Sequence, residues 1–540
     1  MALRLALNVG ITFGLVVGAV TVSAQQLGVS PGNDVPSWLQ TWSPLVIDGN
    51  LPRVLPSASA ALPSLLMPAP KTGLFWSAAN PAAIPWDIDD SRVDMAAAHS
   101  SQAGTFRRPL DPEGAQLSQV SGSGWQPVGK RGALVGRAVF DRNTDNGGTR
   151  SDILDPYGSS PFVVADTTTS VVRQTRARLE GAGGWRLGNW GAGLALGYDT
   201  RNSATAAAPF ARRNRAVQAG ATVGILRSFR NDRLEAGASG NWNGGKESIA
   251  LFEYAQEGFL YLLQGYREII PSQIDVIYNR RMLNDSRSGR LSIGGKTGAL
   301  RWVAYGGAGH FRQRLTSIGQ DNAPTDEWAT TSGTGGISLQ TNVIGGRGLL
   351  TAEASATSLT GSATQVLPSR RGLDAEERVA RARAEIRVPP RGDGWSAVVS
   401  AAIQSDHRLR SDTAAKVSTT VDGITPSVSV EIGRHLSKEV SLMGGYAIAR
   451  YSASGSVPSP LSRGDIYKTF FAPELAIETS ASTSQAGSAA IRWNHTGRAA
   501  FWIAGRYERL TPAGVNSTFR PPGYRSAGSL WVGVTLADGT

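Results

Sequence analysis

The side chains with catalytic or ligating chemistry are few and scattered. His99, His310, His407, His435 and His495 stand in separate segments, and no His-x-x-x-His pair gives zinc-ligand spacing. Cysteine is absent, which excludes thiolate catalysis, iron–sulfur and cysteine–zinc sites, disulfides and an N-terminal lipidated cysteine. Gly28-Val29-Ser30-Pro31-Gly32 matches the nucleophile elbow in letters, but it sits in a proline-rich stretch without the strand before and helix after that the elbow needs. No glycine-rich loop has phosphate-binding spacing, and no Ser/His/acid set is visible in order or spacing. The chain therefore reads as non-enzymatic, with no cofactor and no metal site implied.

Arginine is the informative residue. The formal net charge is +12, and 47 of the 54 basic residues are arginine. In the segment 378–388, Arg381, Arg383, Glu385 and Arg387 occupy one parity, while Ala380, Ala382, Ala384, Ile386 and Val388 occupy the other. That period of two places the charges on one face of a strand. Arg176, Arg178 and Glu180 oppose Ala177, Leu179, Gly181, Gly183 and Trp185 in the same way. These seven charged residues are the candidate lumen-facing set. Two chemistries suit them: Arg–Glu ladders that stiffen a wall, or an excess of positive charge that favours anions in a pore. Other arginines would suit lipid phosphates, and nothing points to nucleic acid.

Such strands need a structure in which one face is wet and the other is not. Alternating segments run from about residue 115 to the C-terminus, with an upstream strand near 92–100 and a last one at 527–537. They pair through short turns near 186–189, 230–233, 297–298, 345–348, 389–394, 435–438 and 494–498. Between the hairpins the spacing predicts longer connections at 143–170, 202–213, 247–286, 314–328, 361–375, 408–422, 453–480 and 512–525. Trp185, Trp190, Trp302, Trp395, Trp493 and Trp502 all lie near short turns, where an interfacial aromatic girdle belongs. No later run reaches about 18 apolar residues, and the mean hydropathy is −0.16, which excludes a helical membrane protein but not a barrel. The expected fold class is all-β: a transmembrane antiparallel β-barrel of about 18 strands, with 16 and about 14 as alternatives. The aromatic segment 247–286 is either a cap over the mouth or an uncounted hairpin.

The N-terminus divides differently. Arg4, the apolar stretch 5–20 and the small-residue site Val22-Ser23-Ala24 form a secretory signal, with cleavage expected after Ala24. Residues 25–90 are a proline-rich extension, read as a periplasmic tail or a plug, and 91–540 form the barrel.

Within that extension, Leu74-Phe75-Trp76-Ser77-Ala78-Ala79-Asn80-Pro81-Ala82-Ala83 resembles the Asn-Pro-Ala start of the fatty-acid-transporter-like barrels, and also the start of an uncharacterised outer-membrane barrel family. The first resemblance implies an N-terminal hatch in the pore, carried by Asn80, Pro81 and Ala82, and hydrophobic cargo leaving sideways through the wall. The chain departs from the general outer-membrane pattern at its end, where Asp538-Gly539-Thr540 replaces a terminal aromatic. The expected protein is a porin-like channel or transporter for a small solute in the outer membrane of a Gram-negative bacterium, gated by its N-terminal segment. Its partners would be outer-membrane lipid, lipopolysaccharide and the barrel-assembly machinery. The alternative is an accessory or anchoring barrel that holds a partner through long loops or the tail.

Overall fold

The computed structural model describes residues 80–537 apart from short interruptions, the longest being 457–466 and 514–522. The expected signal segment, the Gly28–Gly32 pattern and the extension up to residue 79 lie outside the described residues. Among the described residues no helix is long and apolar enough to cross a membrane.

Among the described residues the sequence forms twenty-one strands. They are β1 (Arg92–Gly104), β2 (Gly114–Val128), β3 (Gly132–Asn146), β4 (Phe162–Ala165), β5 (Val172–Leu187), β6 (Trp190–Thr205), β7 (Phe210–Phe229), β8 (Leu234–Glu253), β9 (Leu260–Gln264), β10 (Arg267–Ser272) and β11 (Tyr278–Thr297). The second half holds β12 (Leu300–Ile318), β13 (Pro324–Val343), β14 (Gly348–Gln365), β15 (Arg370–Val388), β16 (Trp395–Asp412), β17 (Val417–His435), β18 (Val440–Ser456), β19 (Ser482–Thr496), β20 (Ala499–Pro512) and β21 (Arg525–Ala537). Eighteen of them pair antiparallel with their sequence neighbours, and β1 closes the wall against β21 from Arg92↔Ala537 to Gly104↔Arg525. The result is a closed 18-stranded antiparallel barrel, as the alternation predicts. Closure leaves no unpaired edge, which is why a sequence with so little apolar mass can hold its backbone bonded throughout. Gly188 and Gly298 supply the left-handed φ of +63° and +60° that the two-residue hairpins β5–β6 and β11–β12 require.

The outer face carries an apolar belt at the short-turn end. Along β6 it runs from Trp190 through Leu194 and Leu196 to Tyr198, all 43–54 % exposed, with an aromatic ring at each edge. Eight residue steps span about 26 Å along the strand and about 20 Å in height once the strand tilts. Trp185, Trp395 and Trp493 are likewise exposed on the outer face, with Trp302 half-buried on it. Trp502 corrects the girdle expectation: it is buried on the inner parity beside Ala490, Ala504 and Trp531.

Four of the eight predicted long connections are not loops. β6 and β7, β12 and β13, β14 and β15, and β16 and β17 continue through 202–213, 314–328, 361–375 and 408–422 and join by short links. The polar residues there belong to strands that outrun the belt: β7, β8, β11 and β13 each reach 20 residues, where about 10 suffice to cross a bilayer. The segment 247–286 is neither a bare cap nor a pair of wall strands. Residues 247–253 and 278–286 extend β8 and β11, and Leu260–Gln264 with Arg267–Ser272 form the β9–β10 hairpin, which pairs with β4 in a separate three-stranded sheet.

Candidate functional site: two folded segments inside the barrel

At the short-turn end the Asn-Pro-Ala segment lies inside the lumen. Asn80 caps a 3-10 turn, Pro81–Ala83, by accepting the Ala82 N–H at 3.0 Å, and the turn runs on into α1, Ile84–Asp87. Proline at the first position suits this local fold, because the amide it lacks would have been unbonded anyway. The Asn80 amide also donates to the Ile225 carbonyl at 2.9 Å and the Ala238 carbonyl at 3.3 Å, fastening the segment to β7 and β8. Ala82, Ala83 and Ile84 are 0–2 % exposed. Ile84 packs on Ala133, Val135, Ala182 and Ala195, and Leu226 packs on Ala82, Ala83 and Trp86. The Arg186 guanidinium covers the Trp86 ring at 5.1 Å.

The wall is cut to receive this segment. Gly184, Gly193 and Gly224 are direct cross-strand partners on β5, β6 and β7, and Gly191 and Gly237 flank Leu226 in the next row. A Cβ at Gly193 would stand 2.3 Å from the Pro81 carbonyl carbon, one at Gly224 2.1 Å from Asn80 Oδ1, and one at Gly191 2.4 Å from the Trp86 ring. Close backbone approach is the reason these positions are glycine. Sequence reasoning missed the five glycines, whose signal is their shared inner parity in two adjacent rows.

The two charged sets fall on the inner parity of nearly opposite walls, since β5 and β15 are eight steps apart in an 18-strand ring. They are not alike. On β5, Arg176 contacts Asp199 and is 7 % exposed, while Glu180 holds Arg178 at 2.7 Å and Arg137 at 3.6 Å. On β15, Glu385 binds Arg383 at 2.6 Å and Arg387 at 3.3 Å, and Arg381 donates to Gln404 at 2.9 Å. The Arg383 side chain is 47 % exposed. The β5 ladder is packed structure; the β15 set leaves arginine facing the lumen.

The long-loop end holds a core that sequence reasoning did not find. A π turn, Tyr467–Phe471, leads into α2, Ala472–Glu478, and Phe470, Phe471, Ala472 and Leu475 enter one apolar cluster with Ile153, Phe162 and inward wall residues such as Phe311, Leu315 and Trp328. Apolar residues that face inward at the mouth of a polar lumen break the simple alternation, and that reversal was the available signal. Ion pairs rim the cluster: Glu478 with Arg408 at 3.0 Å, Glu474 with Arg410 at 3.9 Å, and Arg408 with Asp406 at 3.5 Å. The Tyr451 hydroxyl donates to the Glu478 carbonyl at 2.7 Å. Across the mouth, the fully buried Arg280 pairs with Asp152. Outside the wall strands, burial raises Glu474 to about 7, reinforced by the Glu478 carboxylate. Burial also pushes Asp111 up, but the Arg108 and Arg525 guanidiniums outweigh it and hold that carboxyl below its usual value.

Residues 81–536 match the family of unknown function DUF6850. The chain belongs to that family. Of the two resemblances read from the N-terminal motif, the uncharacterised family is the one this match supports. No curated protein matches the chain. Among solved structures it is similar to the ferric preacinetobactin receptor BauA of Acinetobacter baumannii, at 9 % identity and a TM-score of 0.38, covering 83 % of this chain and 80 % of that one. It is similar also to the ferric citrate transporter FecA, at 8 %, 0.42, 83 % and 79 %, and to the monoaromatic hydrocarbon channel TodX, at 10 %, 0.29, 85 % and 93 %.

Proposed function

We propose that this member of the family is an outer-membrane channel or transporter for a small solute, shut in the structure described by a lumen segment at the periplasmic end and a folded cap at the outer end. The belt supports the membrane reading: an apolar outer face about 20 Å tall with aromatic edges matches the outer-membrane slab, and short turns belong on the periplasmic side. The observation that carries the gating reading is the glycine seat. Three directly paired glycines and two neighbours leave the room that Asn80, Pro81, Ala82, Pro85 and Trp86 occupy. The described contacts that fasten the segment are the Asn80 amide bonds, the Arg186 guanidinium on the Trp86 ring and apolar packing, all of which can be broken and remade as a moving hatch requires. This is the sense in which Asn80, Pro81 and Ala82 act as a hatch. The exposed arginines of β15 favour an anionic solute.

Planar-bilayer recording tests the reading. The intact barrel should conduct rarely, and Asn80→Ala, which removes both wall bonds, should raise the open probability about tenfold or more. A barrel that inserts but conducts in neither form refutes the channel, and equal opening in both refutes the hatch.

A further inference from the structure

On the outer face just above the belt, β7, β8, β11 and β12 carry a lattice of unneutralised cations. Val223, Ile225, Trp242, Leu291 and Ile293 are exposed and fix which parity faces outward. Following those parities toward the loops, Arg215 pairs with Ser248, which pairs with Arg281; one row lower, Val217 pairs with Lys246, Lys246 with Leu283, and Leu283 with Arg314. Cations and neutral residues thus alternate like a checkerboard, with diagonal neighbours about 7–8 Å apart. Arg213 extends the upper edge of the lattice. Arg213, Arg215, Lys246 and Arg314 are exposed and Arg281 is half-buried.

Carboxylates do not cancel this patch. Asp285 is engaged by Arg287 at 3.3 Å and by the Trp242 indole N–H at 3.0 Å, and Glu327 by Arg312 at 2.5 Å. Among the described residues, the five cations of the lattice stand in no ion pair. Like charges at this spacing repel, so a surface that keeps them together is matched to a polyanion.

We infer that this patch is a docking site for the phosphorylated sugar backbone of lipid A in the outer leaflet. The inference rests on the outer-membrane reading above. Three features select the ligand. The patch begins directly above Trp242, where headgroups meet the belt. It lies on the long-loop side, which faces the lipopolysaccharide leaflet. Its five positive charges fit a headgroup with more than one phosphate better than a singly charged phospholipid, and guanidinium binds phosphate oxygens in pairs. The extra length of these strands raises the charged rows to that level rather than leaving them in hydrocarbon.

The test compares the full chain with a patch variant, Arg213→Gln, Arg215→Gln, Lys246→Gln and Arg314→Gln, and with a control that removes four outward arginines from other strands, Arg142→Gln, Arg173→Gln, Arg450→Gln and Arg509→Gln. Lipid A retained on each is read by native mass spectrometry, with bisphosphorylated lipid A, its dephosphorylated form, phosphatidylglycerol and inorganic phosphate as competing arms. The patch variant should lose about tenfold or more in affinity for bisphosphorylated lipid A while the control changes little. The dephosphorylated form should not discriminate between the variants. Equal loss in both variants overturns the site, as does phosphatidylglycerol or free phosphate competing as well as lipid A. Should the fourfold variant fail to assemble, Arg215→Gln with Lys246→Gln carries the same comparison. A chain that enters no bilayer overturns the membrane reading itself, whereas normal insertion with unchanged lipid A retention overturns this site alone.

Discussion

Replacing Gly193 by leucine should expel the lumen segment from its seat. The added Cβ would lie 2.3 Å from the Pro81 carbonyl carbon and 2.4 Å from the Ala82 nitrogen, which are backbone atoms that no rotamer moves aside. The wall cannot retreat there, because Gly193 is paired with Gly184 on one side and Gly224 on the other. Unseating forfeits the two Asn80 hydrogen bonds, about 0.5–1.5 kcal/mol each, and the burial of Ile84, about 1.5–3 kcal/mol. The total, about 2.5–6 kcal/mol, shifts the seated-to-unseated ratio by roughly a hundredfold to ten-thousandfold. The cysteine-free sequence makes this measurable, since Ala83→Cys introduces a unique thiol at a position 2 % exposed. Its labelling by a water-soluble maleimide should be slow with Gly193 present and faster by about a hundredfold or more with Gly193→Leu. Equal rates in the two backgrounds would show that the glycine row does not hold the segment, and the gating argument would fall with it.

Three further outcomes are expected. Trp328→Ala empties the centre of the mouth cluster, and its cost of about 3–5 kcal/mol should lower the denaturant midpoint of the purified barrel; an unchanged midpoint would mean the cap core adds nothing to stability. Glu474, ordinarily near 4.5, is raised to about 7 in the folded cap, so its contribution is full below pH 4.5 and lost as pH rises through about 7, a swing of at most about 3 kcal/mol. Protection factors for hydrogen exchange over 467–478, corrected for intrinsic rate, should therefore fall between pH 5 and 8 in the native chain and stay flat in Glu474→Gln; a flat native profile refutes the assignment. Finally, Arg381→Gln with Arg383→Gln should move the reversal potential under a salt gradient toward cation preference, and no movement would reduce the β15 arginines to wall structure.

Local alternation is enough to specify the wall. Strict alternation on segments such as 176–185 and 378–388 assigns every side chain to one of two faces, and a slip of one residue would invert that assignment along a whole strand. The facing of each strand was therefore legible from hydrophobicity, and with it a strand number near eighteen and most of the tryptophan girdle. The motif 80–82 entered by resemblance alone, and its Asn-capped 3-10 turn came from the structure.

What lies inside the barrel depends on contacts between segments far apart in the chain. Alternation says which face a residue takes, but not what meets it across the lumen. Gly184, Gly193 and Gly224 read as ordinary small residues until a segment more than a hundred positions upstream of two of them lies against their backbones. Leu315 and Trp328 fall in the stretch 314–328 that read as a loop until α2, from residues 472–478, packs on them with Phe311. The same limit explains why strands of twenty residues read as loops: above the belt neither face need be apolar, so the period-two signal fades while the hydrogen-bonded ladder continues. The ends of the barrel depend on contacts between distant segments, and those contacts leave no local period in the sequence.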